Sequence, residues 1–464
     1  MSEDYTDNYD QTEFNKTEEF ITTYGTNLSF GLFQKTAQFV LSYNPEFKDY
    51  DKRNEYDALE HNASLVGEFL PSKRSSIDFN LNYDGHGDNN ESESWEHSAS
   101  LAGSYELSKY TGTIFSADYT NSYDRQLRTN DWNESKSYTL SGGIKNQFGQ
   151  KDFIGFDYSY SMTDYVGPDS DDYDEHNPSI FLAYWFNPQF GFDSNLSYEY
   201  TVYDLSDDTS KTWSGDFRLI RNITKHFDIY TKYEHTYTID EQGDHTIYNP
   251  SVGFDWSVTE DSGVSLGLGY MIQKWENSED SEGLFVDADV FKAFKFSKQG
   301  TFTVSAASGY DATSNDAASL GFQIYYQAGF LLSYQFLRDL SAQLTGSYTR
   351  DQFDDPDVNR VDDTIEFGAG LAWAPWKWMN IDLGYTFEDF SSDDDLIENY
   401  QENRGTIMVT LYPAGTPRMI SAFKRGQSDF ERGKGGRENK DGDTIFPSAA
   451  DRADIENKIF NNAR

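Results

Sequence analysis

The stretch Ile77-Asp78-Phe79-Asn80-Leu81-Asn82-Tyr83 sets Ile, Phe, Leu and Tyr at every second position, with Asp and Asn between them. Side chains of an extended chain point alternately to two faces, so this is a strand with one apolar face and one wet face. The figure returns in Ile154-Gly155-Phe156-Asp157-Tyr158-Ser159-Tyr160 and in Met379-Asn380-Ile381-Asp382-Leu383-Gly384-Tyr385. A unit of strand, tight turn, strand and acidic loop repeats about every 38 residues. Each strand carries roughly 10 to 14 patterned residues, enough for a tilted bilayer crossing. Sustained over some twenty strands, the pattern predicts an all-β chain: a transmembrane antiparallel up-and-down β-barrel with a polar inside and a lipid-facing outside.

Composition narrows the alternatives. The chain has 464 residues and a net charge of −42, with 37% hydrophobic but 17% aromatic residues. That hydrophobic share is low for a soluble protein of this size. Disorder would explain low hydrophobicity and high charge, but disordered chains are poor in aromatics. No apolar run approaches the roughly 18 residues of a membrane helix. The opening Met1-Ser2-Glu3-Asp4 has neither the basic nor the apolar region of a secretory signal, so either the numbering starts after processing or the chain is a shortened form. The absence of Cys excludes disulfides and thiolate metal sites. Acidity argues against nucleic-acid binding, which wants a basic face.

Acidic loops fall near Asp51, Asn89, Asn130, Ser170, Ser206, Gly243, Asp280, Asn315, Pro356 and Asp394. Short turns lie between them, as in Pro71-Ser72-Lys73-Arg74 and Asn187-Pro188-Gln189. Short periplasmic turns alternating with longer extracellular loops is the bacterial outer-membrane arrangement. About 20–22 strands are expected, with 22 preferred because a strand from Glu19 to Phe33 and a truncated first strand restore an even number. The organisation is then an acidic N-terminal segment, 1–17, with the stub of that strand; a barrel, 18–413; and a flexible, charged periplasmic tail, 414–464. Ser448, with Asp451 three residues on, reads as the start of a short helix in that tail.

With the apolar face outward, the lumen-lining residues are Asp78, Asp118, Asp157, Asp193, Glu199, Asp216, Arg218, Asp228, Lys232, Glu234, Asp255, Asp287, Asp289, Asp382 and Glu388. Such a lumen favours cations or neutral polar solutes over anions; the alternative is that its acids only keep a filled lumen hydrated. A weak Ca²⁺ site at Asp169, Asp171, Asp172 and Asp174 lacks the ordered spacing and Gly of an EF-hand, and solvated loops explain these acids better. His61, His97 and His176 are in phase with the apolar face and read as interfacial. Tyr43, Tyr83, Tyr123, Tyr165, Tyr203, Trp376 and Trp378 sit near strand ends, as an aromatic girdle would. No catalytic grouping stands out, and the chain reads as a non-enzyme without cofactor.

Asp4-Tyr5-Thr6-Asp7-Asn8, Glu18-Glu19-Phe20-Ile21, Leu41-Ser42-Tyr43, Tyr50 and Tyr56-Asp57 with His61 resemble the start of outer-membrane β-barrel porins associated with exopolysaccharide biosynthesis, of the β-barrel porin 2 type. The resemblance is specific over about the first 70 residues. It implies a bacterial outer-membrane location, contact with outer-membrane lipid and lipopolysaccharide, and passage of polysaccharide or work with periplasmic export components. The nearly missing first strand and the charged tail depart from the family pattern. The leading reading is a passive, porin-like barrel for cations, polar solutes or polysaccharide. The competing reading is a structural sheath or docking barrel whose lumen or tail holds a partner protein, such as a multihaem cytochrome.

Overall fold

A computed structural model describes residues 1–12, 16–88, 92–126, 131–166, 172–204, 208–240, 243–259, 261–276, 280–311, 322–354, 359–394 and 397–412. The strands are β1 (Ser2–Thr6), β2 (Glu19–Gly25), β3 (Leu28–Phe33), β4 (Ala37–Tyr50), β5 (Ala58–Ser72), β6 (Ser75–Asp88), β7 (Ser92–Ser108) and β8 (Thr111–Gln126). They continue as β9 (Asp131–Gln147), β10 (Phe153–Val166), β11 (Tyr173–Asn187), β12 (Phe190–Tyr203), β13 (Thr209–Thr224), β14 (Phe227–Ile239), β15 (His245–Thr259) and β16 (Ser262–Trp275). The last are β17 (Ser281–Lys295), β18 (Gly300–Asp311), β19 (Phe322–Leu337), β20 (Leu340–Asp354), β21 (Asn359–Trp376), β22 (Met379–Ser392) and β23 (Tyr400–Leu411). Among the described residues no helix is long and apolar enough to cross a membrane. The strands do the crossing.

All 23 strands join one antiparallel sheet, consecutive strands pairing except β2 with β3, and β1 closes it by pairing with both β2 and β23. Closure leaves no free edge along the paired seam, which a spanning sheet needs because lipid offers its backbone no hydrogen bonds. β2 and β3 both lie against β4, opposite Glu46–Tyr50 and Gln38–Tyr43, and are two halves of one crossing interrupted near Thr26. Counting them once makes 22 crossings, as expected from the sequence. The stub at 2–6 is therefore a wall strand. Beside Met1, β3 pairs only with β4 among the described residues.

The short seam strand is fastened at the long-loop end. Asp7 accepts the backbone N–H of Asn403 at 2.7 Å and its side-chain amide at 2.8 Å. Asn8 is fully buried, donates to the carbonyls of Thr12 and Gln401, and accepts the Thr12 N–H. Thr6 donates to Glu402 at 2.7 Å. Opposite, Glu19 is fully buried and accepts the N–H groups of Phe20 and Lys52. The acidic Asp-Asn opening is a clasp for the barrel seam.

The tight turns share one device. Ser72, Ser108, Asn187, Thr224, Thr259 and Ser297 each accept, through the side-chain oxygen, the N–H two residues on. Such local bonds stabilise a reversal that the sheet ladder cannot continue.

Outside the wall, Arg53 pairs with Asp10 and packs 4.9 Å from the Tyr9 ring centroid. The Arg53 hydrogen bond holds the Asp10 carboxyl below its ordinary value, and Asp10 raises the guanidinium in turn. A lowered carboxyl contributes stability above its unfolded pKa of about 3.9 and loses it as pH falls through the folded value. Hydrogen exchange at 9–12 and 51–57, corrected for intrinsic rates, should therefore rise as pH drops below about 4, by no more than a surface pair's roughly 0.5–1 kcal/mol. Arg53→Gln should remove that step; an unchanged step would show that the pair is not its cause.

Candidate functional site

The two faces of the sheet separate by chemistry. Leu81, Leu101, Leu140, Phe156, Ile180, Leu196, Phe217, Val252 and Leu284 are exposed on one face. Cross-strand register puts all fifteen acid and base residues singled out above on the other. Ser100 lies opposite Asp118, Gly143 opposite Asp157, Thr212 opposite Glu199, and Ala372 opposite Asp382. This is the concave face: a cavity of about 2230 Å³ is lined from β1 to β10 and from β23, including Asp4, Glu46, Lys48, Glu60, Asp84 and Asp124.

On β12–β17 the register gathers the charges into one patch. Asp193 faces Arg218, Asp216 faces Glu234, Arg218 faces Lys232, and Asp228 faces Asp255. Ser265 stands opposite both Asp255 and Asp289, and Gly267 opposite Asp287. Arg218 pairs with Asp255 across two strands, and Lys232 with Glu234 at 2.5 Å. Ser265 donates to Asp255 at 2.7 Å. The patch holds seven carboxylates and two cations, so it stays negative after every ion pair is formed.

Several inner-face acids went unnoticed in the sequence. Glu366 and Glu402 flank Glu388, one of the fifteen, on β21–β23, and the three are held by Ser347, Thr6 and Tyr400 respectively. Glu46, Glu60 and His86 form a second row, with Lys48 2.7 Å from Glu60. Their signal was parity carried beyond the apolar part of each strand into stretches that read as loop.

Aromatic rings share this face. A Cβ added at Gly155 would meet the Phe181 ring at 1.9 Å, and one at Gly191 the Trp185 ring at 2.6 Å, so both rings rest against bare backbone. Lys151 sits 3.9 Å from the Trp185 centroid. Tyr165 and Tyr203, expected in the lipid girdle, instead belong to the inner face: they flank Tyr173 at 6.4 and 5.9 Å, and Tyr165 lies opposite Ser135. Their position in the pleat, not their amphipathic chemistry, decided this. His61 and His176 do stand with the outer rows, each 2.7 Å from the hydroxyl of Tyr43 or Tyr158, and His97 packs 4.7 Å from Trp95.

The two described loop acids bind different groups of the wall. Asp169 and Asp171 lie outside the described residues, Asp172 accepts the Tyr165 N–H, and Asp174 accepts the Tyr160 hydroxyl. Among the described residues no group of three His, Cys, Asp or Glu could hold a metal ion. The 414–464 tail, with the helix start at Ser448, is outside the described residues.

One hairpin leaves the wall. The β17–β18 ladder ends at Ala288 opposite Ser308, whereas β16–β17 runs on to Ser281 and β18–β19 to Asp311. Tyr310 nevertheless receives a hydrogen bond from Asn249 of β15 and donates to Glu234 of β14 at 3.3 Å. In its wall position β18 would stand three strand spacings from β15, about 14 Å, beyond a tyrosine's reach. The end of the hairpin must therefore bend inward over β16 and β17. There Tyr310 packs 4.7 Å from Phe285, beside a buried cluster of Ile247, Met271, Phe285 and Ile324.

The family described as Putative beta-barrel porin 2 matches residues 229–412. The match falls on β14–β23, away from the opening residues that carried the resemblance. No curated protein matches the sequence. Among solved structures, the siderophore receptor PirA from Pseudomonas aeruginosa is similar at 11% identity and a TM-score of 0.57, covering 88% of this chain and 79% of that one. PirA from Acinetobacter baumannii gives 10% identity and 0.58 over 89% and 80%, and the ferric citrate transporter FecA in its unliganded form 9% and 0.54 over 88% and 78%. At such identities the likeness is one of fold. The chain is thus a closed 22-strand barrel of outer-membrane type whose residues 229–412 match the β-barrel porin 2 family.

Proposed function

We propose that this chain is a porin-like barrel of the bacterial outer membrane that passes cations and polar solutes passively through its lumen. The observation that carries the reading is the inner-face patch on β12–β17, seven carboxylates against Arg218 and Lys232. A water-filled passage lined by one sign of charge concentrates counter-ions and repels co-ions. The apolar outer rows fit lipid, and the His–Tyr pairs at their ends fit the membrane–water boundary. Reconstituted into planar bilayers under a KCl gradient, the barrel should show a reversal potential displaced toward that of K⁺. The displacement should shrink above about 1 M salt, where the Debye length is about 3 Å. An electrically silent or anion-preferring barrel refutes the reading.

Polysaccharide passage is favoured by a separate feature, the Phe181 and Trp185 rings set against Gly155 and Gly191. Half-buried rings beside carboxylate acceptors suit the CH-rich faces and hydroxyls of sugars. Block of the ionic current by soluble oligosaccharides, weakened by Trp185→Ala, would support that cargo; block unaffected by the substitution would exclude this ring from it.

A further inference from the structure

We infer that the short-turn end of the barrel, around Lys35, Lys73, Arg74 and Lys109, is a binding surface for the phosphate headgroups of anionic phospholipid. The inference rests on the membrane-barrel part of the reading above and is independent of conduction. The two ends of the wall differ in charge. The ten short turns, 34–36, 73–74, 109–110, 148–152, 188–189, 225–226, 260–261, 296–299, 338–339 and 377–378, hold nine Lys or Arg against four Asp or Glu. The connections at the long-loop end hold four against 27. Each turn contributes only one or two charges, and the sheet collects them onto one rim.

Acids outnumber bases in this chain by 79 to 37, so a cation rarely lacks a carboxylate within reach. Those of the wall find one: Lys48 pairs with Glu60, Arg218 with Asp255, Arg360 with Asp362 and Arg404 with Glu402. Lys35, Lys73, Arg74 and Lys109 are exposed and have no ion-pair partner among the described residues. They occupy three successive turns, β3–β4, β5–β6 and β7–β8, none of which contains an acid. Successive turns lie two strand spacings apart, about 10 Å. Four unneutralised cations so spaced suit an array of anions from outside the chain rather than a single ion.

The rings beside these cations favour lipid over an acidic protein. Phe69, on the outer row of β5 just above Lys73 and Arg74, is 42% exposed. Lys109 Nζ lies 5.5 Å from the centroid of the exposed Tyr110 ring. Farther round, Lys377 stands between Trp376 and Trp378, exposed rings stacked 5.3 Å apart. Aromatic rings settle at the membrane–water boundary, and a Lys or Arg beside them reaches the phosphate layer with its stem along apolar surface. Negative headgroups are drawn to cations at that level. A soluble acidic protein would meet the charges but not the rings, which the bilayer covers. At the opposite end the acids repel the same headgroups.

The test uses the full chain, which contains no Cys, so one introduced Cys can carry a fluorophore. Phe69→Cys and Leu59→Cys place it at the two ends of the outer row of β5. Each variant is refolded into phosphatidylcholine vesicles containing phosphatidylglycerol, with heat-modifiable gel migration as the check of folding. Quenching by brominated phosphatidylglycerol, relative to brominated phosphatidylcholine, reads the local enrichment of the anionic lipid. Enrichment at position 69 should be about threefold at 0.1 M salt and vanish at about 1 M, with none at position 59. Adding Lys73→Gln/Arg74→Gln/Lys109→Gln should abolish it. Equal enrichment at both positions, or enrichment that survives the triple substitution, overturns the assignment. No enrichment at either position does so too, and leaves an acidic protein as the partner of these cations. An electrically silent barrel that still enriches phosphatidylglycerol at position 69 refutes only the channel reading.

Discussion

Alanine at Gly253 should destabilise the barrel by about 3 kcal/mol, the upper range for overpacking a filled site. The added Cβ would lie 2.3 Å from the Leu266 carbonyl oxygen and 2.5 Å from Tyr230. The carbonyl belongs to the β15–β16 ladder and cannot retreat without breaking register. Nor can the ring, because Tyr230 is buried at 8% exposure and the Arg218 guanidinium lies 4.1 Å from its centroid. Gly405 supplies the control: a Cβ there meets nothing within 4 Å, so Gly405→Ala should change stability by no more than about 0.5 kcal/mol. Urea unfolding in lipid vesicles, followed by the gel shift between folded and unfolded barrels, compares the two directly. Equal midpoints would mean that the inner wall around Tyr230 is looser than its packing indicates.

The largest functional effect should come from Asp228→Asn, Asp287→Asn and Asp289→Asn made together. Seven carboxylates against two cations leave the β12–β17 patch at −5, and three neutralisations bring it to −2. None of the three changes removes Asp255 or Glu234, so Arg218 and Lys232 keep those ion-pair partners. The cation-to-anion permeability ratio should fall by about threefold or more at 0.1 M salt and change little at 1 M, because the field is screened over about 10 Å and 3 Å respectively. Unchanged selectivity at low salt would place the ion path away from this wall. Arg218→Gln should move the ratio the opposite way, at some cost in stability, since Asp255 would lose its partner.

Much of this molecule could be read residue by residue. The faces of Asp78, Asp157 and Asp382 follow from alternation with Phe79, Phe156 and Ile381, and the register agrees with each. The turns were legible because Ser72, Ser108 and Asn187 act on the N–H two residues away. That Glu388 has Glu366 and Glu402 for neighbours was not, because no sequence spacing of 22 and 14 residues announces three acids in one row. Tyr165 and Tyr203 misled for a related reason. Near a strand end, amphipathic chemistry suggests the bilayer boundary, but the pleat alone decides which face a side chain takes.

The sequence by itself determined the two faces, a barrel of 20–22 crossings and the acidic inside, because period-two alternation and turn chemistry act within a few residues of chain. Only the tertiary structure decided which carboxylates adjoin, how Asp7 and Asn8 clasp the seam across nearly 400 residues, and that Tyr310 leaves its outer row for the lumen. Those outcomes rest on contacts between strands remote in sequence, where burial of Phe285 and Met271 and the hydrogen bonds of Glu234 and Asn249 outweigh the local pattern of β18.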